Sequence, residues 1–158
     1  MSLFKNQLCV GCGLCESVTN GKVKMTLDPD GFLRPKKTQK VPADEYKSIK
    51  QCCPATIIHK DKSLRTPHTD SFWGDYFQCY IGSSSSDAIE KEASSGGIIS
   101  TILIFLLKNK IIDYVIHIGP DPENPLLNIV KLSSNSKEVL ENADSRYAPS
   151  TALTNILQ

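Results

Sequence analysis

Cys9-Val10-Gly11-Cys12-Gly13-Leu14-Cys15, completed far downstream by Cys53-Pro54, is the stretch around which the chain is organised. Three cysteines at two-residue spacing with a remote Cys-Pro form the ligand pattern of a bacterial-type iron–sulfur cluster. Glycines between the thiols suit a loop that must curl around a cluster, because such a loop needs positive φ at some positions. Backbone N–H groups turned inward by that curl can donate to cluster sulfurs and set their potential. In two-cluster ferredoxins the run continues with a fourth cysteine that serves the other cluster. Here that position is Thr19, and counting back from Cys53 by the same spacing gives Ile49, Tyr46 and Ala43. The ligands of one cluster are present and those of a second are missing. Cys9, Cys12, Cys15 and Cys53 are therefore the candidate ligands, and Cys52 is a spare.

Two other readings stay open. Zinc held by cysteines alone favours two paired C-x2-C knuckles, whereas this chain offers a triplet and a single. A disulfide framework suits small secreted proteins, yet the residues ahead of Cys9 carry no secretory pattern.

Eighteen basic and seventeen acidic residues in 158 leave a net charge of +1, and no basic run exceeds Lys36-Lys37. Nothing in this balance supports nucleic-acid binding. The longest apolar run, Ile98 to Leu107, is far shorter than the roughly 20 residues of a membrane span. Free thiolates kept for iron point to a reducing cytoplasm.

The pattern divides into a cluster module over residues 1–60, a connection over 61–74, and an α/β domain over 75–158. In the module, Val23, Met25 and Leu27 alternate with Lys24 and Thr26 as a half-buried strand does. Asp28-Pro29-Asp30-Gly31 is a turn, and Phe32-Leu33-Arg34 returns as a strand ending at Pro35. Pro42 then opens a helix that delivers Cys53, with Tyr46 and Ile49 on one face. His59 and His68 read as solvated linker residues rather than ligands.

Beyond the connection, Tyr76 to Ile81 reads as a strand with Cys79 buried in it, and Asp87 opens a helix with Glu90 placed for a capping box. A helix buried nearly all round starts near Gly97. Asp113 to Ile118 is a buried strand in which His117 is a packed core residue. Strand, helix, strand at this spacing predicts a parallel pair and a mainly parallel sheet. Asn128 to Leu132 is another strand, Ser136 to Asn142 a serine-capped helix, and Ser150 begins one more helix. That pattern is still running at Gln158, so the α/β domain is expected to be truncated at its C-terminal end.

Ser94-Ser95-Gly96-Gly97 at a helix start is a candidate anion cradle, since unsatisfied N–H groups and the helix dipole favour negative charge there. The same residues also suit a plain serine cap with glycines for close packing. Arg146 is a candidate bidentate contact to a phosphate.

Taken together, the cysteine block, Asp30-Gly31-Phe32 with Pro35, Cys53-Pro54, Trp73-Gly74, Ala93 to Gly97, Asp113-Tyr114-Val115 and Ser145-Arg146-Tyr147 resemble the beta-subunit family of coenzyme F-420 hydrogenase and dehydrogenase. The resemblance implies an iron–sulfur flavoprotein oxidoreductase, pairing a ferredoxin-like [4Fe-4S] module with FAD in the α/β domain. It makes Ser94, Ser95, Gly96, Gly97 and Arg146 the flavin-phosphate candidates. It implies a redox partner protein or a deazaflavin-type coenzyme as electron partner. Bacterial look-alikes occur beside polysaccharide-assembly enzymes such as pyruvyl transferases, which gives the alternative of a non-catalytic iron–sulfur or zinc scaffold. No catalytic side chain stands out, as expected where cofactors carry the chemistry.

Overall fold

A computed structural model describes residues 8–58, 63, 65–154 and 156. Among the described residues, short helices mix with three separate two-stranded antiparallel sheets. The first half holds α1 (Leu14–Val18), β1 (Val23–Leu27), β2 (Leu33–Lys37) and α2 (Ala43–Cys52).

The β1–β2 hairpin forms where the turn chemistry predicts. Asp28 accepts the Asp30 and Phe32 N–H groups at 3.0 and 2.8 Å, and Gly31 takes φ +83°. The return strand does not end at Pro35 but runs through it to Lys37, with Pro35 opposite Met25. A proline is tolerated there because β2 is an edge strand with no ladder to serve on its far side.

Pro42 caps α2 as expected, and Ile49 is buried beneath it. The buried Glu16 carboxylate accepts the Met25 N–H at 2.7 Å and pairs with Lys24, which ties α1 to β1. Lys22 pairs with Glu45 at 2.7 Å and ties the hairpin base to α2. Val23 and Ile49 are the large apolar side chains buried almost completely in this half. At about 1.5–3 kcal/mol each, they fall far short of an ordering cost of about 1–2 kcal/mol per residue. These residues need a further source of stability at their centre.

A small hairpin of β3 (His68–Asp70) and β4 (Gly74–Tyr76) follows, with His68 stacked on Tyr76. His68 is thus a strand residue rather than part of an unstructured connection. His59 lies outside the described residues.

The second half holds α3 (Asp87–Glu92), a single 3-10 turn at Ser95–Gly97, α4 (Ile98–Lys108), β5 (Val115–Pro120), β6 (Asn128–Ser133) and α5 (Ser136–Leu140). Its core gathers Ile89, Ile104, Val115 and Val139, with Leu103, Leu107, Ile112 and Leu140 packed around them.

The mainly parallel sheet expected for this half is not what forms. β5 pairs with β6 antiparallel, Val115 opposite Ser133 and Pro120 opposite Asn128. The connection between them is a short turn, in which the Asp121 N–H donates to the Leu127 carbonyl. A parallel pair would need a crossover of a dozen or more residues. The strand expected at Tyr76 to Ile81 is also absent beyond Tyr76, and Cys79, Tyr80 and Ile81 are exposed rather than buried. Without a strand over residues 77–81, the expected βαβ unit has no first member.

Other expectations shift for local reasons. α4 is not buried all round: Ile99, Ile102 and Phe105 are exposed, while Ser100 and Ile104 face inward. Its apolar run hid the direction of the inward stripe. The cap of α5 is Asn135, which accepts the Glu138 N–H, while Glu138 reaches back to the Ser134 N–H at 2.7 Å. This is the reciprocal arrangement that Glu90 was expected to make in α3, where no side chain caps. After Ser150 the chain makes a turn at residues 152–154 rather than a helix.

Candidate metal centre and neighbouring cavities

Cys9, Cys12, Cys15 and Cys53 line one cavity, closed by Met25, Pro35, Ile49 and Pro54. The first three come from the loop that leads into α1. Gly11 and Gly13 take φ +74° and +85°, which turns this loop back on itself. Cys53 arrives from the far side as the residue that ends α2, its N–H bonded to the Ile49 carbonyl at 2.9 Å. The four cysteines that the spacing singled out therefore line a common cavity. Among the described residues no group of three or more His, Cys, Asp or Glu is arranged to hold a single metal ion. A four-iron cluster does not require that, because each thiolate binds its own iron.

The surroundings are apolar apart from the backbone. The Cys15 sulfur lies 3.8 Å from the Met25 sulfur. Arg34 donates to the Cys9 carbonyl while its guanidinium sits 4.9 Å above the Phe32 ring, which fixes one side of the loop. The other side is held by a C-terminal strap, whose Leu153 N–H donates to the Cys12 carbonyl at 2.8 Å. Thr154 covers Gly13 so closely that a Cβ there would lie 2.3 Å from its hydroxyl.

Burial, reinforced by the neighbouring Cys12 and Cys9, pushes the Cys15 thiol from 9.0 up to about 12. In the metal-free protein this thiol is therefore protonated at neutral pH, and a metal that binds it must displace the proton. A thiol whose folded value exceeds its unfolded one stabilises the fold while it is protonated. That contribution is complete below pH 9 and is lost as the pH rises toward about 12. Metal-free protein kept under reductant is expected to lose thermal stability across that window. Cys15→Ala should flatten the loss, which a melting series against pH reads directly.

The Ser94 to Gly97 segment is shaped by packing. Ser95, Gly96 and Gly97 all have positive φ. A Cβ on Gly97 would meet Ile89 at 2.7 Å, and one on Gly96 would meet Ser83 at 3.2 Å, so α3 and the residue-83 loop occupy those faces. The Ser94 hydroxyl donates to Asp144 at 2.7 Å and accepts the Ser145 N–H at 2.9 Å. On the open side Ser94, Ser95, Gly97, Ser100, His117 and Ser145 help line a cavity of ≈ 290 Å³. His117 is half-buried, with Nε2 2.7 Å from the Ser133 hydroxyl, and desolvation lowers its pKa. Sequence reading placed it in the core and missed that it faces this cavity, because an isolated histidine in a strand shows no sign of the cleft beside it.

Arg146 does not line this cavity. Its Nε donates to Asn128 at 2.8 Å, and one terminal nitrogen donates to the Pro125 carbonyl at 2.6 Å. Asn128 in turn donates to the Ala148 carbonyl and the Ser150 hydroxyl. The arginine is thus the anchor of the strap that reaches the cysteine loop. Arg146→Ala should cost about 1.5–3 kcal/mol, the usual range for hydrogen bonds made by a charged group. Proteolytic cleavage in the 121–150 region should rise with it.

The cysteine loop, the strap and the second cavity together describe a cysteine-lined site joined to an α+β body. A sequence-family model described as Coenzyme F420 hydrogenase/dehydrogenase, beta subunit N-term, matches residues 79–158. The chain belongs to this family, whose members are hydrogenase and dehydrogenase subunits associated with iron–sulfur cofactors. At this coarse level it is of oxidoreductase type. The matched span takes in the Ser94 cavity and the strap and leaves out the four candidate ligands. No curated protein matches the chain by sequence. No helix among the described residues is long and apolar enough to cross a membrane.

Proposed function

We propose that the chain is an iron–sulfur flavoprotein oxidoreductase subunit that passes electrons between a [4Fe-4S] cluster and FAD. The observation that carries this reading is the convergence of Cys9, Cys12, Cys15 and Cys53 on one cavity from both ends of the first module. Donor chemistry supports the group: four cysteines, apolar walls, and a loop with positive φ at Gly11 and Gly13. A bound cluster supplies one-electron capacity, and a flavin supplies the link to hydride chemistry. The protein's own part is to hold the thiols, to exclude water with Met25, Pro35 and Ile49, and to fix the loop through Arg34 and Leu153.

For the flavin, Ser94, Ser95, Gly96 and Gly97 are assigned to a phosphate, with backbone N–H groups at the start of α4 and the Ser95 hydroxyl as donors. Arg146 supports this end by holding Ser145 and the strap in place. The cavity sits at the lower limit of ligand pockets, about 300 Å³, which suits a phosphate-bearing portion rather than a whole dinucleotide. The electron partner is a redox protein or a deazaflavin-type coenzyme, and a reducing cytoplasm is the setting that keeps the thiols free.

Anaerobic purification followed by iron, sulfide and flavin assays tests the reading. Bound iron, acid-labile sulfide and released flavin are the expected results. Iron without flavin would overturn the flavoprotein half and leave a cluster-bearing scaffold beside its partner enzyme.

A further inference from the structure

The cysteine cavity has five thiols around it, one more than a cluster uses. Cys52 lines the same cavity as Cys9, Cys12, Cys15 and Cys53. It closes α2 with its sulfur 3.6 Å from the Ile49 carbonyl, and the very next residue, Cys53, is extended, with its N–H bonded to that same carbonyl. The two adjacent thiols therefore share one hinge, the last turn of α2, and one target. Cys52 is exposed and Cys53 half-buried, so the two residues differ in their access to solvent.

We infer that Cys52 and Cys53 are interchangeable fourth ligands of the cluster, so that one iron is held by either sulfur. This rests on the cluster assignment made above and refines it. In the exchange the Cys53–iron bond breaks and a Cys52–iron bond forms. The thiol proton of Cys52 passes to the released Cys53 sulfur, and no iron changes its oxidation state. The exchange gives the α2 end two settings, with the more exposed ligand bringing the cluster closer to solvent.

The test compares Cys52→Ala, Cys53→Ala, the double Cys52→Ala/Cys53→Ala variant and Cys9→Ala, each purified without oxygen. Iron and sulfide are counted, and electron paramagnetic resonance spectra are taken after dithionite reduction. Alanine is used so that no serine oxygen can replace sulfur. Interchange predicts that both single variants keep more than half of the parent's iron. The Cys53→Ala spectrum shifts, and the double variant loses iron severalfold. If Cys53→Ala loses as much iron as the double variant, Cys52 is not a ligand and the inference falls. If Cys9→Ala keeps the parent's iron and sulfide, the cluster assignment itself falls, which is a separate outcome. Alkylation of the unaltered holoprotein, mapped by mass spectrometry, needs no variant to fold. Interchange places the label on Cys52 in some chains and on Cys53 in others, but not on both in one chain. Label on Cys52 alone would contradict it.

Discussion

Gly13→Ala is expected to strip most of the iron from the proposed cluster site, although residue 13 is not among the candidate ligands. Gly13 has φ +85°, where an L side chain adds roughly 1–2 kcal/mol of strain. Its Cβ would also lie 2.3 Å from the Thr154 hydroxyl, 3.0 Å from the Thr154 backbone nitrogen and 3.1 Å from the Thr151 Cβ. Overpacking of this kind costs about 1–3 kcal/mol. Something must give, and the choices are the αL turn that aims Cys12 and Cys15 or the strap that holds the Cys12 carbonyl. Either way the thiols leave their positions. Thr154→Ala in the same chain removes the nearest clash and not the φ strain, so it should recover part of the iron. A double-mutant comparison of iron content and melting temperature separates the two terms.

The second large effect is expected from Cys12→Ala. Cys12 lies between two other candidate ligands on the loop, so its loss removes the middle thiol of the proposed cluster site while keeping the carbonyl that the strap binds. With Val23 and Ile49 as its large, almost fully buried apolar side chains, the first half has little else to pay for its order. Loss of the cluster should therefore loosen residues 8–58 as a unit. Hydrogen exchange should rise across β1, β2 and α2 together, while the Ile89, Ile104, Val115 and Val139 core stays protected. Chelation of iron from the unaltered protein should reproduce the same pattern. Uniform protection in both halves after metal loss would show that the module folds without its cluster.

These two predictions also mark how far the sequence could be read. The cysteine spacing named four residues that line one cavity, since three of them sit on one short loop and the fourth ends α2. The β1–β2 turn was equally legible, since Asp28 and Gly31 each have a local task. The second half was not. Tyr76 to Ile81 has the composition of a strand, but strand formation needs a partner, and composition does not supply one. β5 and β6 were each recognised, yet their antiparallel pairing depended on the short turn between them, which was outweighed by the apparent βαβ order. Arg146 looked like a phosphate ligand because its carbonyl and Asn128 partners lie some way off in sequence. The proline after Cys53 makes Cys52 read as a spare, whereas the end of α2 carries it to the same cavity as Cys53.

The central claim is that four cysteine sulfurs hold a four-iron cluster in the first module. Iron and acid-labile sulfide counted per chain on anaerobically purified protein test it most directly. The account predicts about four of each, with a brown colour that dithionite bleaches. One zinc per chain with no sulfide, or no metal at all, would contradict it.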